Sequence, residues 1–493
     1  MAIGLALLII ISAIIQQSLG HQNFDNGWLF TVAERVLDGA RPYVDFIEAN
    51  PPASFLIYLP AVALSRIVGT TAEFMVCASV FLGGVGVILF TGRILRRAKL
   101  VNAAEAGALL NMAVFILLFM PGIQFAQREH IAMFCLLPLL AIYAARGEGV
   151  HCSMADAITA ALMAGITVSI KPHFALAAFF PLAFIMARRR SIMPLVQVES
   201  WAIVSVVLAY AALLIWRYSG FLDVLPMLMD VYVPDKKQFG DLLLHVMFLL
   251  SVIVVCGVGL ALGKERWPIM VAMPLLACLG FMVSFLLQGK GFPNHAFPCV
   301  SFALLAAGAV VVPAFTALLR DGDAAAEWRL RRWPILFGLV PMMAAGVFFC
   351  GVIAQFIGWE EHPGLRAAVK RLAPPQPRMI AVSKLFHLGY PVVRQVNGRW
   401  VGRLNGLWIT DAAQEMIGTG IGDDAYRARL AGYIDRDARM LLEDVRSQKP
   451  DIILSDKYSR TLKALRHPDL VAALAGYELL ETVEDITIWR RKS

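Results

Sequence analysis

Charge is what this chain has least of. Only 16% of its 493 residues are Asp, Glu, Lys or Arg, where an ordinary soluble domain has about a quarter. At 59% hydrophobic residues and a mean hydropathy of +0.67, a soluble globular protein is excluded. No Cys-x-x-Cys pair occurs. The cysteines (Cys77, Cys135, Cys152, Cys256, Cys278, Cys299 and Cys350) are scattered through apolar runs or loops and read as small hydrophobes, not as a metal cluster or disulfide framework. No basic stripe alternates with aromatics, so the net charge of +8 points to loop Lys and Arg at a membrane surface and not to nucleic acid. No repeat of 20–50 residues and no low-complexity tract is visible. The first apolar run lacks a basic leader and an A-x-A cleavage site, so it is expected to stay as a span.

What is there instead is a series of long apolar runs, each near the ~17–25 residues that cross roughly 30 Å of hydrocarbon. They lie near 2–18, 72–92, 103–121, 130–145, 155–170, 173–187, 193–216, 242–262, 268–288, 296–319 and 334–357. The apolar stretch 53–69, after Pro51-Pro52, could add another crossing. Parity decides against it. A crossing there would put Arg93, Arg96, Arg97, Lys99, Arg188-Arg189-Arg190 and the Arg329, Arg331, Arg332 cluster outside. As an outer interfacial helix it puts them inside with Lys264-Glu265-Arg266, as the positive-inside rule requires. The expected fold is an α-helical polytopic membrane domain of about 11 spans with an outer interfacial helix, over 1–357. A small soluble α/β extracytoplasmic domain follows over 358–493. Its signs are β-type runs at Met379–Val382 and Asp451–Leu454, helical spacing over 424–447 and a terminal hairpin, behind the linker Pro374-Pro375-Gln376-Pro377. Gly418–Gly422 has no strand leading into it and reads as a surface loop.

With this topology the polar clusters at the ends of the apolar runs all face outward: Asn23–Trp28 with Asp45 and Glu48–Pro52, then Gln127–His130, Lys171–His173 and Lys290–His295. Ionisable groups near hydrocarbon cost roughly 2.5–3.5 kcal/mol each, so their concentration on one face points to chemistry there. Asp25, just past the first span, suits a general base accepting a hydroxyl proton, or a cap of the helix that follows. Asp45 ends the turn Asp38–Asp45 and is a second candidate acid. Lys290, between glycines, and His295 suit a phosphate that approaches the backbone closely. Lys171 and Arg128 are further cations for it. Arg128 could equally pair with Glu129 or Glu48, and Lys171 could simply snorkel.

The order span, Asp25-Asn26-Gly27-Trp28, helix, Asp38-Gly39-Ala40-Arg41-Pro42-Tyr43-Val44-Asp45, then Glu48-Ala49-Asn50-Pro51-Pro52 resembles the N-terminal module of GT-C-fold glycosyltransferases. It is most similar to the bacterial protein O-mannosyltransferase and aminoarabinose-transferase group. The resemblance covers the chain to about residue 190. It implies an inverting membrane glycosyltransferase with a polyprenyl-phosphate sugar donor and a glycan, lipid or protein acceptor of the cell envelope, at the outer face of a bacterial cytoplasmic membrane. It also implies that Asp25 is the catalytic acid, that Glu48 before Pro51-Pro52 organises the site, and that Glu129 or His130 stands where relatives hold an acid near the donor. Two departures matter. Asn26 replaces the second acid of the usual Asp-Glu pair, so a divalent metal stays open but has no two-carboxylate motif behind it, and no other cofactor is implied. Asn50 stands where relatives often have Lys, so the phosphate cation comes from elsewhere. A transporter of lipid-linked sugars and a non-catalytic envelope-assembly subunit are the competing readings.

Overall fold

The computed structural model describes residues 2–262, 267–321, 346, 363–385, 388–390, 392–456 and 468–492. The expected span at 334–357 and the basic clusters at 264–266 and 329–332 lie outside them. The helices in chain order are α1 (Ala2–Leu19), α2 (Phe24–Leu37), α3 (Ala53–Leu56), α4 (Leu59–Val68), α5 (Ala72–Arg97) and α6 (Ala103–Val114). Next come α7 (Arg128–Gly147), α8 (Met154–Ile170), α9 (Ala175–Arg189), α10 (Val198–Arg217) and α11 (Gly220–Met227). After α12 (Phe239–Leu243) follow α13 (Val246–Leu262), α14 (Ile269–Gln288) and α15 (Pro293–Asp321). Every expected span up to residue 319 falls on one of these helices. Among the described residues, α1, α5, α7, α10, α14 and α15 are each long and apolar enough to cross a bilayer. The chain is a multi-pass membrane protein.

The helix ends follow local chemistry. Asn102 and Glu105 form a reciprocal capping box at the start of α6. The Ser153 hydroxyl caps α8 by accepting from the Asp156 N–H at 3.1 Å. Gly289, at φ +68°, closes α14 in the left-handed region that glycine adopts without penalty.

Two compact units form. The first contains residues 1–21, 74–213 and 236–358 and carries the spanning helices. Its packing needs small residues: a Cβ on Gly280 of α14 would stand 2.5 Å from the Ala177 backbone of α9. A π-helical turn, Phe115–Phe119, continues α6. His130 braces it, because its ring accepts the Ala126 N–H at Nδ1 (3.1 Å) and so donates from Nε2 to the Leu117 carbonyl (2.7 Å). Arg93 and Arg97 converge on buried Asp156, and Arg146 meets buried Glu199 at 3.2 Å, tying helix ends together.

The second unit gathers residues 22–73, 214–235 and 359–493. Its sheet has the order β2-β1-β3-β5-β4, with β1 (Arg378–Val382), β2 (Arg399–Trp400), β3 (Ile452–Asp456), β4 (Tyr477–Val483) and β5 (Ile486–Arg491). β1 runs parallel to β2 and β3, and β5 runs antiparallel to β3 and β4. All five residues of β3 are buried, as befits a central strand covered on both faces. Ile380, Val382 and Ile453 pack there against Leu441, Leu442 and Val445 of the helix Asp424–Gln448. The stretch 217–240, which lies between two expected spans, is largely helical, since α11 runs on into a π turn at Leu228–Tyr232 despite Pro226. Tertiary contacts hold it: Asp230 accepts from Arg429 and from the Tyr433 hydroxyl, both at 2.9 Å, and the Tyr426 hydroxyl donates to the Asp230 carbonyl at 2.5 Å.

The Arg429 hydrogen bond, then that of Tyr433, holds the Asp230 carboxyl below its ordinary value. A depressed carboxyl stabilises above its unfolded value of about 3.9 and loses that effect as pH falls through the lower folded value. Amide exchange over 220–232, corrected for intrinsic rates, is therefore expected to be slow at neutral pH and to quicken below about pH 4. In Asp230→Asn it is expected to be fast already at neutral pH. Equal protection in the variant would show that Asp230 does not hold the segment.

Candidate active site

The expected site residues fall into two sets, one in each unit. In the second unit, Asn23 caps α2, its side chain accepting from the Asp25 N–H at 2.9 Å. Asp25 thus stands in the first helical turn, half-buried, where the helix dipole favours a carboxylate. Trp28, one turn on, donates its indole N–H to Glu48 Oε2. The Asn50 backbone N–H and side-chain amide donate to Glu48 Oε1 at 2.8 and 2.5 Å. Glu48 is 1% exposed, so these donors are what make its burial tolerable. N–H groups thus reach both oxygens of this carboxylate. Asn50, which stands where a phosphate-binding lysine was looked for, instead anchors the neighbouring acid.

Asp45 has a different setting. It accepts the Arg41 N–H at 2.7 Å and pairs with the Arg41 side chain, closing the turn over Arg41–Asp45. The Arg41 N–H holds its carboxyl below the ordinary range. The structure therefore gives Asp45 a turn-closing role.

Long-range contacts fix this acid-bearing segment to the C-terminal part of the same unit. Arg394 donates to Glu34 at 2.8 and 2.9 Å, to the Thr31 hydroxyl at 2.9 Å, and to Glu73. Arg35 donates to the Gly402 and Asp45 carbonyls, each at 2.8 Å, and the Ile47 N–H donates to the Arg403 carbonyl at 2.8 Å. Trp28 packs edge-on against Tyr390 at 5.4 Å, and Tyr390 against Trp400 at 5.3 Å. Tyr390, Arg394 and Trp400 escaped sequence reasoning. They lie more than 300 residues from the segment they support, and no local pattern marks them.

In the first unit, four helix ends meet. Lys171, at the end of α8, donates to Glu129 Oε1 of α7 at 2.6 Å, to Gln288 Oε1 of α14 at 2.8 Å, and lies 3.0 Å from His295 Nε2 of α15. His295 Nε2 is 3.5 Å from Glu129 Oε1. The structure thus unites three residues singled out from separate loops, adding Gln288. Lys290 is 5% exposed, between Gly289 and Gly291, both at positive φ. The Lys237 N–H donates to the Gly289 carbonyl at 2.8 Å, so the 236–237 stretch lines the same turn. Arg128 is buried one residue before Glu129. His130 does not join this set, since both its ring nitrogens are engaged in bracing the π turn.

No protein-family model matches the chain, and comparison with curated protein sequences finds no relative. Solved structures do match. One is ArnT from Cupriavidus metallidurans in the apo state, with a TM-score of 0.57 and 13% identity over 99% of this chain and 97% of that one. The fold is GT-C-like, that of ArnT. The resemblance first seen in the segment Asp25–Pro52 is therefore matched by the architecture of the whole chain.

Removing the Arg394 guanidinium leaves Glu34 and Glu73 facing each other without their shared cation. Arg394→Met is expected to destabilise the second unit by about 3 kcal/mol, the low end for breaking a buried pair. The low end applies because Glu34 and Glu73 keep 31% and 26% of their side-chain surface exposed. Proteolysis of the native protein reads this as faster cutting within 22–73 and 378–456, with Arg394→Lys only partly protected because an ammonium lacks the fork. Wild-type resistance in Arg394→Met would remove Arg394 from its bracing role.

Proposed function

We propose that this protein is an inverting glycosyltransferase that moves a sugar from a polyprenyl-phosphate donor to a cell-envelope acceptor, at the outer face of a bacterial cytoplasmic membrane. The observation that carries the reading is the ArnT-type fold over 99% of the chain. The chemistry of the two residue sets agrees with it. Asp25 takes the proton of the acceptor hydroxyl as that oxygen attacks the anomeric carbon. The bond between the anomeric carbon and the phosphate oxygen breaks on the opposite face, so a single displacement inverts the configuration. Polyprenyl phosphate leaves with the electron pair, and Lys290, with Arg128, stabilises the charge that develops on it. Glu48 acts through position: held by Trp28 and Asn50, it fixes the loop that follows α2.

The direct test is release of polyprenyl phosphate by purified protein offered a panel of polyprenyl-phosphate sugars. Asp25→Asn should remain folded and bind donor, yet turn over at least about 100-fold more slowly. Wild-type turnover in that variant would leave Asp25 as a helix-terminal acid only. Sidedness has its own test. Phe292 is 49% exposed, and Phe292→Cys is expected to react with a membrane-impermeant thiol reagent on intact cells, while Lys99→Cys is not. Labelling at position 99 from outside would reverse the assigned orientation.

A further inference from the structure

An ammonium has three N–H donors and no lone pair. Lys171 directs them to Glu129 Oε1, Gln288 Oε1 and His295 Nε2, so Nε2 must accept. A protonated ring would instead point an N–H at the ammonium from 3.0 Å. His295 is therefore neutral, with its one proton on Nδ1. That atom is buried and has no hydrogen-bond partner among the described residues. The same holds for Glu129 Oε2, the second oxygen of a carboxylate held at 2.6 Å from Lys171. His295 is 4% exposed and Glu129 1%. A buried polar group left unsatisfied is costly, so two of them in one cluster call for an occupant.

His295 Nδ1 and Glu129 Oε2 differ in kind: one is a donor and the other an acceptor. A phosphate oxygen, which can only accept, would satisfy His295 but would face the Glu129 carboxylate. A hydroxyl satisfies both, since it accepts from Nδ1–H and donates to Oε2. We infer that Glu129 and His295 bind a hydroxyl of the donor sugar, with Lys171 setting the tautomer that makes His295 a donor. The inference rests on the proposed reading and divides its labour, with the sugar recognised by this cluster and the phosphate by Lys290.

The test uses two substitutions that separate the ring nitrogens. His295→Asn places an N–H near the Nδ1 position but gives up the acceptor at Nε2. His295→Gln reaches the Nε2 position and lacks the Nδ1 donor. Binding of bare polyprenyl phosphate and of a panel of polyprenyl-phosphate hexoses and pentoses is measured by thermal stabilisation of the full chain. In wild type, at least one sugar-bearing lipid is expected to bind about tenfold more tightly than the bare lipid. His295→Asn keeps that increment and His295→Gln loses it, while all three proteins bind the bare lipid alike. No increment in wild type, or its survival in His295→Gln, overturns the inference and leaves a buried water or a packing role. If His295→Asn is not recovered folded, histidine ¹⁵N spectra of the wild type decide, because the sugar lipid must shift the Nδ1–H signal and a static signal overturns the inference. Release of polyprenyl phosphate in the same samples tests the parent reading separately. An increment without release counts against transfer alone, and release without an increment counts against this site alone.

Discussion

Arg394 enters a site that already holds two carboxylates, Glu34 from α2 and Glu73 from the start of α5. Without a cation, the two acids would repel each other across a half-buried space. With the guanidinium fork between them they are held to the C-terminal α/β part by hydrogen bonds that also include Thr31. The rest of the unit depends on that clamp. It seats α2 against Tyr390, which in turn seats Trp28, which donates to Glu48. A chain of direct contacts therefore links the C-terminal part to the acid before Pro51-Pro52. The C-terminal part has a visible structural task in positioning the segment that carries Asp25 and Glu48.

The first unit solves a different electrostatic problem. Glu129, Lys171 and His295 sit on apolar helices, where isolated charges are costly, and each reaches the others across helix ends. Lys171 neutralises Glu129 and orients His295 with the same three protons. Arg128 and Lys290 lie buried in the same unit.

Most of the spanning helices were legible in the sequence, because long apolar runs are local signals. The hairpin of β4 and β5 and the helix over 424–447 were legible for the same reason. The helical character of 220–232 was not, since Pro226 and nearby charges imitate a loop and the contacts that order it, from Tyr426, Arg429 and Tyr433, lie about 200 residues away. His130 shows the converse failure. A histidine beside Arg128 and Glu129 invites a functional assignment, and only the geometry reveals that both nitrogens brace backbone groups. Lys171 and His295 were recognised singly, but their pairing through Glu129 and Gln288 required the fold.

The Arg394 clamp also has a consequence for how the protein is made. Glu73 and Arg394 are separated by 321 residues. At about 5–20 residues per second, the ribosome needs roughly 15–65 seconds to pass from one to the other. During that interval the segment bearing Asp25 has been synthesised while its brace has not. The first loop therefore completes its packing only after residues 390–403 have emerged, so the fold itself keeps the acid unbraced in every nascent product that ends before them.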